Sequence, residues 1–216
     1  MSIEENAVHA GNSFSPMLIS DADFQRMVTF VKSNYGIDLS RKRQLITGRL
    51  SPTIRKMGYS SFSDFVAHLL EKKDADEITM ILNKLTTNYT FFMPEQEHLE
   101  YFRQRIIPDL IHRHQRDKVL SIWSAGCSSG EEPYNITMYL FDYLGAQARQ
   151  WDTRILATDI SANALTSAKK GIYELPETMP ADWKRKYFTK NPDGTYTVVP
   201  SVRDNVIFQT FNLMNP

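Results

Sequence analysis

The 216-residue chain carries 25 Lys and Arg against 25 Asp and Glu, a formal net charge of zero, with 42% hydrophobic and 23% charged residues. That balance belongs to a soluble globular protein and argues against a nucleic-acid partner held mainly through phosphates. No apolar run approaches the roughly eighteen residues that would cross a bilayer, so direct membrane insertion is not expected. The polar stretch Met1 to Pro16, with Glu4 and Glu5, is no signal peptide. A single cysteine, Cys127, excludes an intramolecular disulfide and suits a reducing, cytoplasmic setting.

Residues 1–18 read as a disordered lead. From Ser20 the pattern turns helical: Ser20 or Asp21 can cap a helix with Phe24, Met27, Val28 and Val31 at i, i+3, i+4, i+7 and Gly36 as a stop. A second helix runs from about Ser40 toward Met57, with a kink or break expected at Pro52. It carries a basic cluster, Arg41, Lys42, Arg43, Arg49, Arg55 and Lys56, with Asp38 as the only acid nearby; by itself such a cluster is most often a solvated face. Ser61 opens a third helix through Phe62, Phe65, Val66 and Leu69, and a fourth follows Asp74 with Ile78, Ile81, Leu82 and Leu85. Residues 19–87 thus form an all-helical domain, and residues 88–94 a linker.

Beyond the linker the grammar changes. One long helix is expected from Glu95 to about Gln115, bent at Pro108. A strand at 119–123 precedes a loop of small residues, a helix from Glu131 to Leu144, a second strand ending at Asp159, and a helix capped by Ser161. Strand alternating with helix predicts a parallel sheet with helices on its faces, an α/β domain over 95–216. Asn191-Pro-Asp-Gly marks a hairpin turn, and a last strand follows at 206–211. These strands make the first half of a doubly wound sheet. The strand at 119–123 would then present an unpaired edge, open to dimerisation with a second chain.

The loop reads Ser124-Ala-Gly-Cys-Ser-Ser-Gly-Glu-Glu-Pro-Tyr134. Gly126 and Gly130 can bring backbone close to a ligand at the carboxyl end of the strand. It is neither the Gly-x-Gly-x-x-Gly of dinucleotide enzymes nor a P-loop, and its acids would repel a pyrophosphate. They suit a cationic ligand instead, such as the sulfonium and ammonium of S-adenosylmethionine; an ordinary helix start favouring acids is the plain alternative. Asp159, at the tip of the second strand, is placed to accept hydrogen bonds from a ribose diol. His112 and His114, two apart on a helix, point away from each other and make no metal pair. Cys127 reads as a packing residue.

These motifs resemble the CheR family of chemoreceptor methyltransferases. The resemblance rests on Trp123 to Tyr134, Ala157-Thr-Asp-Ile160, Leu85-Thr-Thr-Asn-Tyr-Thr-Phe-Phe92, Gly171-Ile-Tyr173 and Phe211-Asn-Leu213, in family order across residues 20–216. It implies a helical domain followed by a Rossmann-like S-adenosylmethionine domain that methylates receptor glutamates and yields S-adenosylhomocysteine. By motif, Asn88 and Thr90 would reach the cofactor from the linker, and Gly126 would lie at the loop. Glu132 would meet the cofactor's amino-acid or ribose portion, Asp159 the ribose, and Asn212 with Leu213 the adenine. The basic second helix would face the receptor. Two departures stand out: Pro94 occupies the place of a family arginine, and the family's further strands and small β-subdomain are not found, as in a C-terminally truncated member. They keep open an alternative, a non-catalytic module that binds receptor or S-adenosylmethionine.

Overall fold

A computed structural model describes residues 17–86, 90–93 and 96–215. Most of the expected disordered lead, together with Asn88 and Pro94, lies outside the described residues. The chain divides into two compact units between Leu85 and Thr86.

Among the described residues the first unit contains four helices, α1 (Asp21–Tyr35), α2 (Arg43–Lys56), α3 (Phe62–Lys72) and α4 (Ala75–Leu85). Ser20 and Ser61 cap α1 and α3 by accepting the amides of Asp23 and Asp64, and Gly36 closes α1 in the left-handed conformation. The predicted apolar stripes are the buried ones, joined by Ile46, Leu50 and Ile54 of α2. Ser63 Oγ donates to Asp23 Oδ2 at 2.5 Å, tying α3 to α1. The break expected at Pro52 does not occur: α2 runs unbroken from Arg43 to Lys56. Pro52 lies on the exposed face, where water can serve the Gly48 carbonyl that proline leaves without a donor.

In the second unit, the expected single helix over 95–115 is three segments. These are α5 (Gln96–Tyr101), a π-turn over Phe102–Ile106, and α6 (Ile107–Arg113). Pro108 supplies the cause. It cannot donate to Gln104, and its ring crowds that carbonyl; the helix widens ahead of it, with the Ile107 amide bonding to Phe102 O. The first strand, β1, is Ile122–Ala125 rather than 119–123. Val119 makes only an isolated bridge with Asp152, and regular pairing starts three residues later.

Next come α7 (Glu131–Leu144), a 3₁₀ turn (Gly145–Gln150), β2 (Ile155–Asp159) and α8 (Ala162–Lys170). The rest of the chain forms β3 (Ile172–Tyr173), α9 (Ala181–Tyr187), β4 (Phe188–Lys190), β5 (Tyr196–Val198), α10 (Pro200–Arg203) and β6 (Val206–Thr210). The sheet β1-β2-β6 is parallel throughout, with Ser124, Ala157 and Phe208 in register. This is the mixed α/β architecture expected, with α7 and α8 on the buried face. The opposite face exposes a row in register, Trp123 (53%), Leu156 (37%) and Ile207 (44%). A second, antiparallel sheet has the order β3-β5-β4, and the predicted turn at Asn191–Gly194 joins β4 to β5.

Candidate functional site

All three parallel strands run toward the same end, so the β1–α7 loop, Asp159 and the segment after β6 gather at the sheet's carboxyl edge. The loop is pinned there by its backbone. The Gly126 and Cys127 amides both donate to Thr158 O, at 2.8 and 2.9 Å, and Gly130 N donates to Cys127 O. Asp159 clasps it from the side: Oδ2 accepts Ser128 N and Oδ1 accepts Ser161 N, each at 2.8 Å. Asp159 O also receives Phe211 N at 3.1 Å, which brings Asn212 and Leu213 to the same edge. Asn212 is partly buried and Leu213 exposed.

The two loop glycines do different work. Gly126 has φ +77, and a side chain built there would meet nothing within 4 Å, so the backbone is open to a ligand. Gly130 is not. A Cβ at Gly130 would lie 2.8 Å from Ala168 Cβ and 3.2 Å from Phe208 Cζ, so this glycine serves close packing of α7 against α8 and β6.

The paired acids also separate. Glu131 is buried, accepts the Ser129 hydroxyl, and has its pKa raised chiefly by burial. Glu132 is exposed, with Oε1 accepting the buried Ser124 hydroxyl at 2.7 Å. The thiol of Cys127 registers the local field. Burial first, then the charges of Asp159, Glu132 and Glu131, push its pKa up to about 12. Cys127 is therefore a neutral packing group amid converging carboxylates.

Thr90 is half-buried, and Phe92 packs edge-on against Tyr173 and Phe188, with ring centroids 4.9 and 5.3 Å apart. Sequence reasoning missed Ser124, Ser128, Thr158 and Tyr173. They stand inside the quoted motifs, but their contacts span 8 to 44 residues, so no local pattern gives them a role. A cleft of about 1000 Å³ lies apart from the loop, between α5, α7 and α9. Of its acids, Glu100 pairs with Arg103 and Asp142 with Lys186.

In the first unit, α2 contains no acidic residue, and its exposed face presents Gly48, Arg49, Pro52, Arg55 and Lys56. Arg41 and Lys42 are exposed just before it. Arg43 is committed internally: it pairs with Asp21, donates to Ile19 O and lies 4.5 Å over the Phe24 ring.

An open, acid-lined loop and a carboxylate at neighbouring strand tips of a parallel sheet fit a ligand that joins a ribose to a cationic group. Among the described residues neither Asp159 nor Glu132 pairs with a cation. Each Asp159 oxygen, holding one amide, keeps capacity for another donor. The architecture is that of a Rossmann-like methyltransferase domain.

Comparison with known proteins carries the assignment further. Residues 88–216 match the family model described as CheR methyltransferase, SAM binding domain, and residues 22–86 that described as CheR methyltransferase, all-alpha domain. A chemotaxis protein methyltransferase of Borreliella burgdorferi is 34% identical over 91% of this chain and 71% of its own length. Chemotaxis protein methyltransferase 2 of Pseudomonas aeruginosa is 35% identical, over 89% of the chain and 68% of its own length. The chemotaxis protein methyltransferase of Escherichia coli is 32% identical, over 92% and 68%. The chain belongs to the CheR methyltransferase family, whose methyl donor is S-adenosylmethionine. Among the described residues no helix is long and apolar enough to cross a membrane.

Proposed function

We propose that the chain transfers methyl groups from S-adenosylmethionine to glutamate side chains on the cytoplasmic helices of chemoreceptors. The carboxylates gathered around the β1–α7 loop, Asp159 at the end of β2 and Glu132 at the start of α7, carry this reading. Asp159 would take the ribose hydroxyls and Glu132 the cationic amino-acid portion. Gly126 would give backbone access, Asn212 and Leu213 would border the adenine, and Asn88 and Thr90 would approach from the linker at 88–94.

When bound, the donor supplies a methyl group activated on sulfonium. A glutamate, with pKa near 4.3, is already an anion at neutral pH, so no general base is needed. The protein's work is to hold both partners in line and exclude water, which can lower the barrier substantially.

The domain at 19–87 would dock the receptor through Arg41, Lys42, Arg49, Arg55 and Lys56. Basic residues at a helix N-terminus oppose the macrodipole, so Arg41 and Lys42 do not serve the stability of α2; acidic partner helices would suit them. The deciding experiment is transfer of a radiolabelled methyl group to chemoreceptor cytoplasmic domains, with base-labile γ-methyl esters as the product. Absence of label, with S-adenosylmethionine still bound, would favour the second reading, a non-catalytic binding module, for which Pro94 in place of the family arginine speaks.

A further inference from the structure

We propose that Tyr173 is a positioning residue for methyl transfer: from the small antiparallel sheet it braces the cofactor loop and ties that loop to the linker. Its hydroxyl donates to Ser129 O at 2.6 Å, across 44 residues of sequence. Its ring receives Phe92, two residues beyond Thr90, edge-on at 4.9 Å and 87°. Phe92 is in turn held by Phe188 of β4 at 5.3 Å, and Tyr134 lies edge-on to Tyr173 at 6.2 Å. One side chain thereby joins the linker to the residue next to Ser128, whose amide Asp159 holds.

The sheet β3-β5-β4 gains a purpose from this. The strand β3 has only two residues, and its pairing of Tyr173 with Tyr196 fixes the phenol under the loop. Burial raises the phenol's pKa well above its ordinary value, so the hydroxyl stays a proton donor over the working pH range. A phenylalanine would fill the same space but leave the Ser129 carbonyl without this donor.

The inference rests on the β1–α7 loop being the cofactor site, so the test uses one readout that needs no cofactor. In the ligand-free 216-residue chain, Tyr173→Phe is expected to speed hydrogen exchange at the Ser128 and Gly130 amides about three- to tenfold. The same variant is expected to raise the Kd for S-adenosylmethionine, measured by calorimetry, by a similar factor. The control is Tyr187→Phe, which removes another buried hydroxyl, bonded to Asp142 and Met138 O. At a comparable loss of melting temperature it should leave both loop readouts unchanged. Unaltered loop exchange in Tyr173→Phe, or equal loosening in Tyr187→Phe, would overturn the proposal. If the wild type fails to bind S-adenosylmethionine, the site assignment fails while the exchange comparison still decides the role of Tyr173.

Discussion

Asp159 and Ser128, 31 residues apart in sequence, are joined by a 2.8 Å bond from the Ser128 amide to a carboxylate oxygen, while the other oxygen holds Ser161 N. The residue expected to hold a ribose is thus also the clasp that shapes its own site. Asp159→Asn offers one acceptor and turns an amide donor toward the second N–H. It should lower stability by about 1–3 kcal/mol as well as weaken S-adenosylmethionine binding. Urea unfolding and calorimetry on the same variant would show both; a pure binding defect with unchanged unfolding would contradict the clasp.

The two loop glycines should respond differently to alanine. Gly126→Ala meets open space and suffers only its positive φ, about 1–2 kcal/mol. Gly130→Ala adds a 2.8 Å clash with Ala168 Cβ and a 3.2 Å approach to Phe208, for a total of about 2–5 kcal/mol. In the double variant Gly130→Ala/Ala168→Gly only the alanine clash is relieved, so recovery should be partial. Equal losses at Gly126 and Gly130 in equilibrium unfolding would refute the packing role.

The raised pKa of Cys127 gives a pH prediction whose sign follows from linkage. A group whose folded pKa is raised adds stability that is full below its unfolded pKa and is lost as pH rises through the folded value. With an unfolded pKa near 8.5, the loss attributable to Cys127 should reach about 2 kcal/mol at pH 10. Cys127→Ala should flatten that stretch of the stability curve between pH 8 and 10. The native thiol should also resist alkylation at pH 8 and react readily once unfolded. Rapid modification of the folded chain would rule out the buried neutral thiol.

What the sequence disclosed follows the range of the forces involved. Caps such as Ser20, Ser61 and Ser161, the apolar stripes of the first four helices and the turn at Asn191–Gly194 are set by neighbours within a few residues, and all were readable. The π-turn before Pro108 was half legible: the proline announced a disturbance, but a kink and a widened turn answer the same lost hydrogen bond. Gly130 was misread because its constraint comes from Ala168, 38 positions away. The bracing of Ser129 by Tyr173 was invisible for the same reason, although the Gly171-Ile-Tyr173 motif had already singled out the residue. The acids of the candidate site were legible in the sequence; the contacts that support them were not.

The basic cluster on α2 should divide in two under mutation. Arg43 supports the first unit through Asp21, Ile19 O and the face of Phe24, so Arg43→Ala should cost about 1 kcal/mol of stability. Arg41 and Lys56 are exposed and form no ion pair among the described residues, so reversing both to glutamate should shift stability by no more than about 0.5 kcal/mol. Yet if α2 docks acidic receptor helices, that reversal should slow association about tenfold at low ionic strength and lose most of its effect at high salt. Stopped-flow association with a receptor cytoplasmic fragment, measured across a salt series, separates the two classes. A slowdown in Arg43→Ala that matched the double reversal in size and salt dependence would mean the whole cluster docks. No slowdown in the double reversal would remove α2 from the receptor interface and leave its basic face without a partner.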